Sequence, residues 1–167
     1  METQQAQKKF IAVIRLKGDV DIPEEIRRSL HILGLRSRYS CIVLPDSPSL
    51  QGMLTTVKDW VTWGEVDKDT LLLLLKERGR LRGNKPLTDD AAKESGWSGI
   101  DDFVNALING SASLRCGNGR KCINGLKPFF RLHPPKGGLN SIKKYYGYGG
   151  DLGYRGSSIN ELLRRML

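Results

Sequence analysis

Residues 10–17 read FIAVIRLK, and this stretch decides the fold. Its even positions, 10 to 16, are all apolar. Its odd positions, 11 to 17, begin with the apolar Ile11 and end with the charged Lys17. Successive side chains of a β-strand point to opposite faces, so a two-residue period of this kind is typical of a strand. We therefore predict the first strand of a sheet here.

Two helices and two more strands are predicted to follow in alternation. A helix is expected over residues 21–33, with Asp21 as its cap and Gly34 as its stop. Residues 39–44 are apolar and β-branched enough for a second strand, and Pro45 to Pro48 would end it and cap a helix that runs to roughly Trp60. With a third strand over residues 61–66, the order is βαβαβ.

The sequence changes character after this core. Residues 68–78 predict a helix with five consecutive leucines, residues 79–85 form a basic glycine-rich loop, and residues 88–94 and 100–108 predict two short helices. From residue 111 glycine is frequent and periodicity is mostly lost. We therefore divide the chain into a core domain (8–66), a helical annex (67–110) and a basic glycine-rich arm with a terminal helix (111–167).

The terminal helix is the one periodic part of the arm. Ser158 and Glu161 have the spacing of a capping box, and apolar residues from Ile159 to Met166 form one stripe. The helix is expected to dock back on the domain. The rest of the arm, Arg115 to Gly156, shows no pattern that would bury much apolar surface, so we expect it to order largely on binding a partner.

The positive charge is confined to the last third of the chain. The whole protein carries a formal charge of +9, yet residues 1–114 hold 16 basic and 16 acidic side chains, whereas residues 115–167 hold 11 basic and 2 acidic ones. A segment this basic attracts a polyanion, because phosphate contacts release counterions. A nucleic acid is the partner that this distribution favours.

The cysteines and the polar N-terminus favour a cytosolic protein. The first nine residues have no apolar stretch typical of a secretory signal, and the longest apolar run, Leu71 to Leu75, is too short to cross a membrane. Three cysteines are an odd number, and cytosolic thiols stay reduced, so no disulfide is expected. Cys116 and Cys122 lack the short spacing of zinc knuckles. We predict no metal, no cofactor, no small-molecule substrate and no catalytic site.

Several motifs together resemble a known family. LHILGLR (30–36) and DSPSLQGM (46–53) resemble the conserved core of the L30 family of large-subunit ribosomal proteins. The later motifs VTWG (61–64), KPLTD (85–89), PPKGG (134–138), GGD (149–151) and INELLRRM (159–166) resemble its archaeal and eukaryotic form. The short N-terminus favours an archaeal source, since eukaryotic members carry a long basic extension.

The resemblance implies an α+β fold and a structural role. The expected fold is a ferredoxin-like βαβαβ core, a three-stranded antiparallel sheet with helices on one face, followed by additional C-terminal structure. The expected function is that of a constituent of the large ribosomal subunit in the cytoplasm, bound to large-subunit rRNA near 5S rRNA and beside other ribosomal proteins. The resemblance implies no catalysis.

Candidate RNA-binding residues come from four places in the sequence. Arginines after the first helix can fork onto phosphates, the start of the second helix offers free N–H groups, glycine lets a basic loop approach a backbone, and the arm supplies charge. Solvated arginines and plain capping by Ser47 are the open alternatives, and the aromatic residues of the arm could stack on bases or anchor it. The candidates are Arg36, Arg38, Ser47, Ser49, Gln51, Arg80, Arg82, Lys85, Arg115, Arg120, Lys121, Lys127, Arg131, Lys136, Lys143, Lys144 and Arg155.

Two other functions fit the composition. A transient ribosome assembly factor or RNA chaperone would carry the same charge pattern. A DNA-binding protein fits less well, because the chain has no helix-turn-helix or zinc-finger signature and a glycine-rich arm suits irregular RNA surfaces better.

Overall fold

The first strand lies at the centre of a sheet, and the other strands of this sheet come from both halves of the chain. The computed structural model describes residues 9–117 and 119–167. Its elements are β1 (Phe10–Arg15), α1 (Glu24–Leu33), β2 (Ser40–Pro45), α2 (Pro48–Val57), β3 (Val61–Glu65), α3 (Lys68–Arg78), α4 (Asp89–Glu94), α5 (Ile100–Ile108), β4 (Phe129–Arg131), β5 (Gly153–Tyr154) and α6 (Ile159–Met166), with 3₁₀ turns at Arg82–Asn84, Tyr146–Tyr148 and Gly156–Ser158. Within these ranges no helix combines the length and the apolar character needed to span a bilayer.

The sheet has five strands in the order β4-β2-β1-β3-β5. The central strand β1 is antiparallel to both β2 and β3, as expected for the βαβαβ core. The two added strands come from the arm: β4 pairs antiparallel with β2, and β5 pairs parallel with β3. Each satisfies backbone groups that would otherwise remain unpaired at the edges of a three-stranded sheet. The α+β fold is confirmed, with a wider sheet than the three strands predicted.

Both faces of this sheet are covered. Ile11 and Val13 of β1 pack with α1 and α2, which lie on one face as predicted. Phe10, Ala12 and Ile14 pack on the other face in a larger cluster that includes α3, α5 and α6. All six residues of β1 are buried. A strand with two apolar faces needs two covering layers, and the annex and arm supply the second.

The arm belongs to this larger cluster. Its apolar side chains are buried together with those of α3 and α5, so the expectation that the arm lacks enough apolar surface to order itself is wrong. The buried residues are scattered through irregular backbone, which is why no period marks them in the sequence. They are Ile123, Leu126, Phe130, Leu132 and Leu152.

Arg155 joins the arm to β3 inside the protein. Its Nε donates to the Thr62 hydroxyl at 2.8 Å, and its Nη2 donates to the Asp151 carbonyl at 2.7 Å and carboxylate at 3.1 Å. Both members of this ion pair are buried. Breaking one partner would leave an uncompensated charge, so the pair holds β5 in place.

Asn160 makes a second connection, between α6 and the start of α3. Its Nδ2 donates to the Glu65 and Ser157 carbonyls, and its Oδ1 accepts from the Asp67 N–H at 2.9 Å. The amide therefore satisfies three backbone groups where β3 ends. It fixes the terminal helix against the sheet, as the sequence predicts.

Helix ends differ from the predictions in three places. The N-cap of α1 is Pro23 with no side-chain hydrogen bond, because Asp21 lies two residues further out with a positive φ of 54°. The helix α2 ends at Val57, short of Trp60. Ser158 makes no side-chain cap, since its backbone already belongs to a 3₁₀ turn that leads into α6.

Cys116 and Cys122 form a disulfide, which contradicts the expectation of reduced thiols. Their Cα atoms lie 5.5 Å apart, within the range that a disulfide requires. The expectation rested on the redox state of the compartment, whereas the pairing depends on how the chain folds back between the two residues. The third cysteine, Cys41, is free and buried, and burial raises the pKa of its thiol.

We predict that Gly64→Ala destabilises the protein by about 2 to 3 kcal/mol, because overpacking a close contact forces the backbone to shift. An alanine Cβ at this position would collide with the Gly156 carbonyl oxygen and lie 3.0 Å from the Ile159 Cβ. Urea unfolding curves measure the change. The matched control is Gly52→Ala in α2, where nothing lies within 4 Å and a gain of about 0.5 to 1 kcal/mol is expected. Equal effects of the two substitutions would contradict the close approach at Gly64.

We predict that only one thiol of the purified, non-reduced protein reacts with iodoacetamide in denaturant, and three after reduction. Mass spectrometry of the alkylated chain counts them. Cys116→Ser should lower the free energy of unfolding by about 2 kcal/mol, the value that loop-closure entropy gives for so short a loop. Alkylation of all three cysteines before reduction would show that the bond is not formed.

Candidate nucleic-acid interface

A row of basic side chains follows the β4 edge of the sheet. Four pockets lie along this edge, and their linings include Arg120 with Arg115, then Arg82 with Arg115 and Lys127, then Arg36 with Arg131, and finally Arg38 with Lys143. We call these eight residues the basic band. All are exposed except Lys127, which is half-buried. They come from the core, the annex and the arm, and the fold brings them into one row.

Shared residues connect the pockets of the basic band. Arg115 lines the first and the second, and Pro128 lines the second and the third; the third and the fourth share no residue but are lined by the consecutive residues Ser37 and Arg38. In addition, Arg115 Nη2 donates to the Leu33 carbonyl at 3.3 Å, which ties the start of the arm to the end of α1. The band is therefore continuous from one end of the β2 strand to the other.

The electrostatic character of the band is one-sided. None of the residues that line these four pockets, within the part of the chain that the structure describes, is Asp or Glu. Four acidic side chains, Asp89, Asp90, Asp101 and Asp102, occupy first turns of the annex helices, and the exposed Asp46 follows Pro45 of the first pocket. A surface of one sign at one edge attracts a polyanion to that edge.

The turn that carries Arg36 and Arg38 is built around a buried arginine of β1. Arg15 is only 2% exposed, and its guanidinium donates to the Leu35 and Arg36 carbonyls at 3.0 and 3.1 Å and to the Lys17 carbonyl at 2.8 Å. These bonds hold the backbone after α1 against the end of β1. The side chain of Arg36 is left exposed.

Two further contacts complete this turn. Arg15 Nη2 donates to Asp19 at 2.6 Å, and this contact holds the pKa of the Asp19 carboxyl below its ordinary value. Arg38 Nε donates to the Leu16 carbonyl at 2.9 Å, and its guanidinium lies 4.7 Å from the centre of the Tyr39 ring. With Nε engaged and the side chain exposed, the remaining N–H groups of Arg38 can still donate outward.

The glycine-rich loop of the annex packs on the arm. Arg82 N donates to the Gly125 carbonyl at 2.9 Å, and Lys127 N donates to the Arg80 carbonyl at 2.8 Å. The side chains of Arg82 and Lys85 are exposed, whereas the half-buried Arg80 uses its guanidinium on the Glu77 and Gly79 carbonyls. The loop therefore adds Arg82 to the band, while Arg80 stabilises the loop itself.

The remaining predicted residues lie at the two ends of the band or outside it. Ser47 caps α2 by accepting from the Leu50 N–H, and Gln51 donates to Asp46. This helix start follows Pro45, which lines the same pocket as Arg120. The exposed residues are Ser49, Gln51, Lys121, Lys136 and Lys144. Arg155 is buried in its ion pair, so we assign it to the fold rather than to an interface.

Sequence reasoning missed one buried arginine beneath this surface and two lysines beside it. Arg15 gave a weak signal, a charged residue inside a strand. Lys17 and Lys58 gave none, because each is a lone lysine whose position depends on tertiary contacts: their ammonium groups lie 5.2 Å from the ring centre of Trp60 and 5.9 Å from that of Tyr145. Lys17 follows Leu16, whose carbonyl accepts from Arg38, so it lies next to the band.

The described residues, 9–117 and 119–167, contain no group of three or more His, Cys, Asp or Glu side chains placed to hold a metal ion.

Two tyrosines have raised pKa values, Tyr145 through a hydrogen bond to Asp59 and Tyr154 through one to Glu65. These hydroxyls stay protonated and act as donors to carboxylates. The geometry of the site is that of a binding surface.

Comparisons with known proteins identify the family of this chain. A model of the family described as ribosomal protein L30p/L7e matches residues 11–61. The chain is 51% identical to the large ribosomal subunit protein uL30 of Pyrobaculum islandicum, with 93% of each chain covered. It is 48% identical to the protein of the same name from Archaeoglobus fulgidus, over 94% of this chain and 99% of the relative. The chain belongs to the ribosomal protein L30p/L7e family.

Proposed function

We propose that this protein is a structural constituent of the large ribosomal subunit that binds large-subunit rRNA along the basic band and lies near 5S rRNA. The observation that carries the proposal is the continuity of the band: eight arginines and lysines from three parts of the chain line one edge with no acidic side chain among the pocket residues. By joining RNA segments at this edge, the protein stabilises their assembled arrangement.

Membership of the family supports the broader part of this function. A ribosomal protein of this family is structural and not an enzyme, and it resides in cytoplasmic ribosomes. The archaeal form expected from the motifs agrees with relatives such as that of Archaeoglobus fulgidus. The relatives compared above are named as proteins of the large subunit, and we extend that location to this chain.

The chemistry of the band suits a phosphate backbone better than base edges. Arginine presents several N–H donors in a planar fork that matches phosphate oxygens, and six of the eight band residues are arginines. They stand on a strand edge and on turns fixed by backbone hydrogen bonds, so their positions are set before binding. Such contacts position a protein on RNA without reading its sequence.

Charge neutralisation in the band should reduce the salt dependence of rRNA binding. The slope of log K against log salt concentration is negative, and we predict that the triple variant Arg36→Gln/Arg82→Gln/Arg131→Gln reduces its magnitude by about 2 to 3, since each phosphate that the protein no longer neutralises removes a little under one unit. Filter binding of large-subunit rRNA across a KCl series measures the slope. Point variants are required because deleting residues 115–167 would also remove β4, β5 and α6.

The matched control removes the same charge elsewhere. Arg28, Lys68 and Lys93 are exposed and lie outside the four pockets of the band. Their triple change to glutamine should leave the slope close to that of the unmodified protein. If both triple variants lowered the slope equally, the binding would depend on net charge alone and the band would not be the interface.

Proximity to 5S rRNA can be tested separately. We predict that an iron chelate tethered to Ser49→Cys, in the helix that follows Pro45 of the first pocket, or to Lys143→Cys, in the lining of the fourth, cleaves 5S rRNA in reconstituted large subunits from at least one position. Both side chains are exposed, and the remaining free thiol, Cys41, is buried and unreactive. Cleavage of large-subunit rRNA alone from both positions would refute the 5S neighbourhood and leave the main rRNA contact standing.

A further inference from the structure

One exposed aromatic side chain near the end of the basic band has no role within the fold. Tyr148 is 80% exposed, more than any other aromatic residue of the described chain. Its hydroxyl has no hydrogen-bond partner among residues 9–117 and 119–167, whereas the hydroxyls of Tyr145 and Tyr154 donate to Asp59 and Glu65. Tyr148 therefore lacks the hydrogen bond to a carboxylate that holds Tyr145 and Tyr154 in place.

The turn that presents Tyr148 is rigid. Its backbone closes on itself, because Tyr148 N and Gly150 N both donate to the Tyr145 carbonyl, at 2.9 and 3.0 Å, and Leu152 N donates to the Lys144 carbonyl. Gly150 permits this closure, since a Cβ there would collide with the Lys144 carbonyl oxygen. Tyr148 is thus carried by a turn whose backbone is fixed by its own hydrogen bonds.

Buried contacts fix the base of the same turn. The Arg155 guanidinium lies 4.8 Å from the ring centre of Tyr146, and Arg155 is itself locked by Asp151 and Thr62. Asp151 also accepts from the Ser141 N–H at 3.1 Å. Because the backbone that carries Tyr148 is already ordered, only the side chain itself loses conformational freedom on binding, which favours binding.

The charges around the turn select the kind of partner. Lys143 and Lys144 precede it and are exposed, and Lys143 belongs to the basic band. The one acidic residue between positions 139 and 157, Asp151, is buried and neutralised by Arg155. One further carboxylate, Asp59, reaches the turn through the Tyr145 hydroxyl, and the Lys58 ammonium lies on the same ring. With Lys143 and Lys144 the surface combines an exposed aromatic ring with an excess of positive charge, the combination with which proteins hold single-stranded nucleic acid.

We propose that Tyr148 stacks on an unpaired base of the rRNA that the basic band binds. The inference rests on the proposed function, because the base must belong to RNA already held by Lys143 and its neighbours. It adds a base contact to an interface otherwise made of phosphate contacts. Such a base lies in a loop, in a bulge or at the end of a helix, since a base inside a continuous helix has both faces covered by its neighbours.

The test compares side chains at position 148 with and without an aromatic ring. Binding of full-length protein to transcribed large-subunit rRNA is measured for Tyr148→Leu, Tyr148→Phe and Tyr148→Trp across a KCl series. Tyr148→Leu should weaken binding about 5- to 150-fold, the range for loss of one stacked base, with an unchanged salt slope. Tyr148→Phe is the matched control, because it removes only the hydroxyl, and with Tyr148→Trp it should bind within about twofold of the unmodified protein.

Chemical probing of the rRNA locates the base. One unpaired base should gain reactivity toward a base-specific reagent in the Tyr148→Leu complex, while protection of the phosphate backbone stays the same. Unchanged affinity of Tyr148→Leu, equal losses in all three variants, or a lowered salt slope would each overturn the stacking role. If the unmodified protein itself failed to bind this rRNA specifically, the proposed function would fall and this inference with it.

A protein partner at Tyr148 would give a different result. In that case Tyr148→Leu would bind naked rRNA with full affinity but would be retained less well in reconstituted subunits, and the inference of a stacked base would be wrong. The substitution itself should not impair folding, because an exposed side chain with no internal contacts contributes little to stability.

Discussion

The burial of β1 on both faces is the constraint on which the rest of the structure depends. Covering Ile11 and Val13 requires α1 and α2, but Phe10, Ile14 and Leu16 point to the other side, where the βαβαβ core offers nothing. Leaving three such side chains in water would cost about 5 to 9 kcal/mol, as much as the whole stability of an ordinary domain. The annex and the arm are therefore required by the core, and the protein folds around one strand.

The same strand connects the fold to the interface. β1 ends with Arg15, whose charge is buried and must be satisfied by protein groups, because unpaired buried donors are costly. The carbonyls that satisfy it belong to Lys17, Leu35 and Arg36, so the chain after α1 is wrapped around the end of the strand. Packing on the inside thus decides where Arg36 and Arg38 stand on the outside.

How far the sequence predicts this structure depends on whether a feature is local. The helix α5 has the predicted bounds, since its apolar spacing and acidic first turn are local signals. The strands β4 and β5, three and two residues long, exist only because β2 and β3 have free edges to pair with, and no short pattern records that. Likewise Arg131 and Arg155 look equivalent in a basic arm, yet one is exposed and the other is buried beside Asp151. Charge composition predicts the kind of partner. Only the tertiary structure decides which basic side chains are exposed and can contact that partner.

The folded arm changes the energetics expected from its composition. A disordered basic tail would lose conformational entropy on binding, whereas this arm has its apolar residues packed in the core, so the fold has already offset that cost. In exchange, residues 115–167 carry 11 basic and 2 acidic side chains, and the repulsion among the excess positive charges of the compact segment opposes folding. A polyanion along the basic band relieves this repulsion, and any ligand that binds only the folded state stabilises it. RNA binding and folding therefore favour each other through the same charges. This explains why a protein can keep a concentration of positive charge that would be unfavourable without a polyanion bound to it.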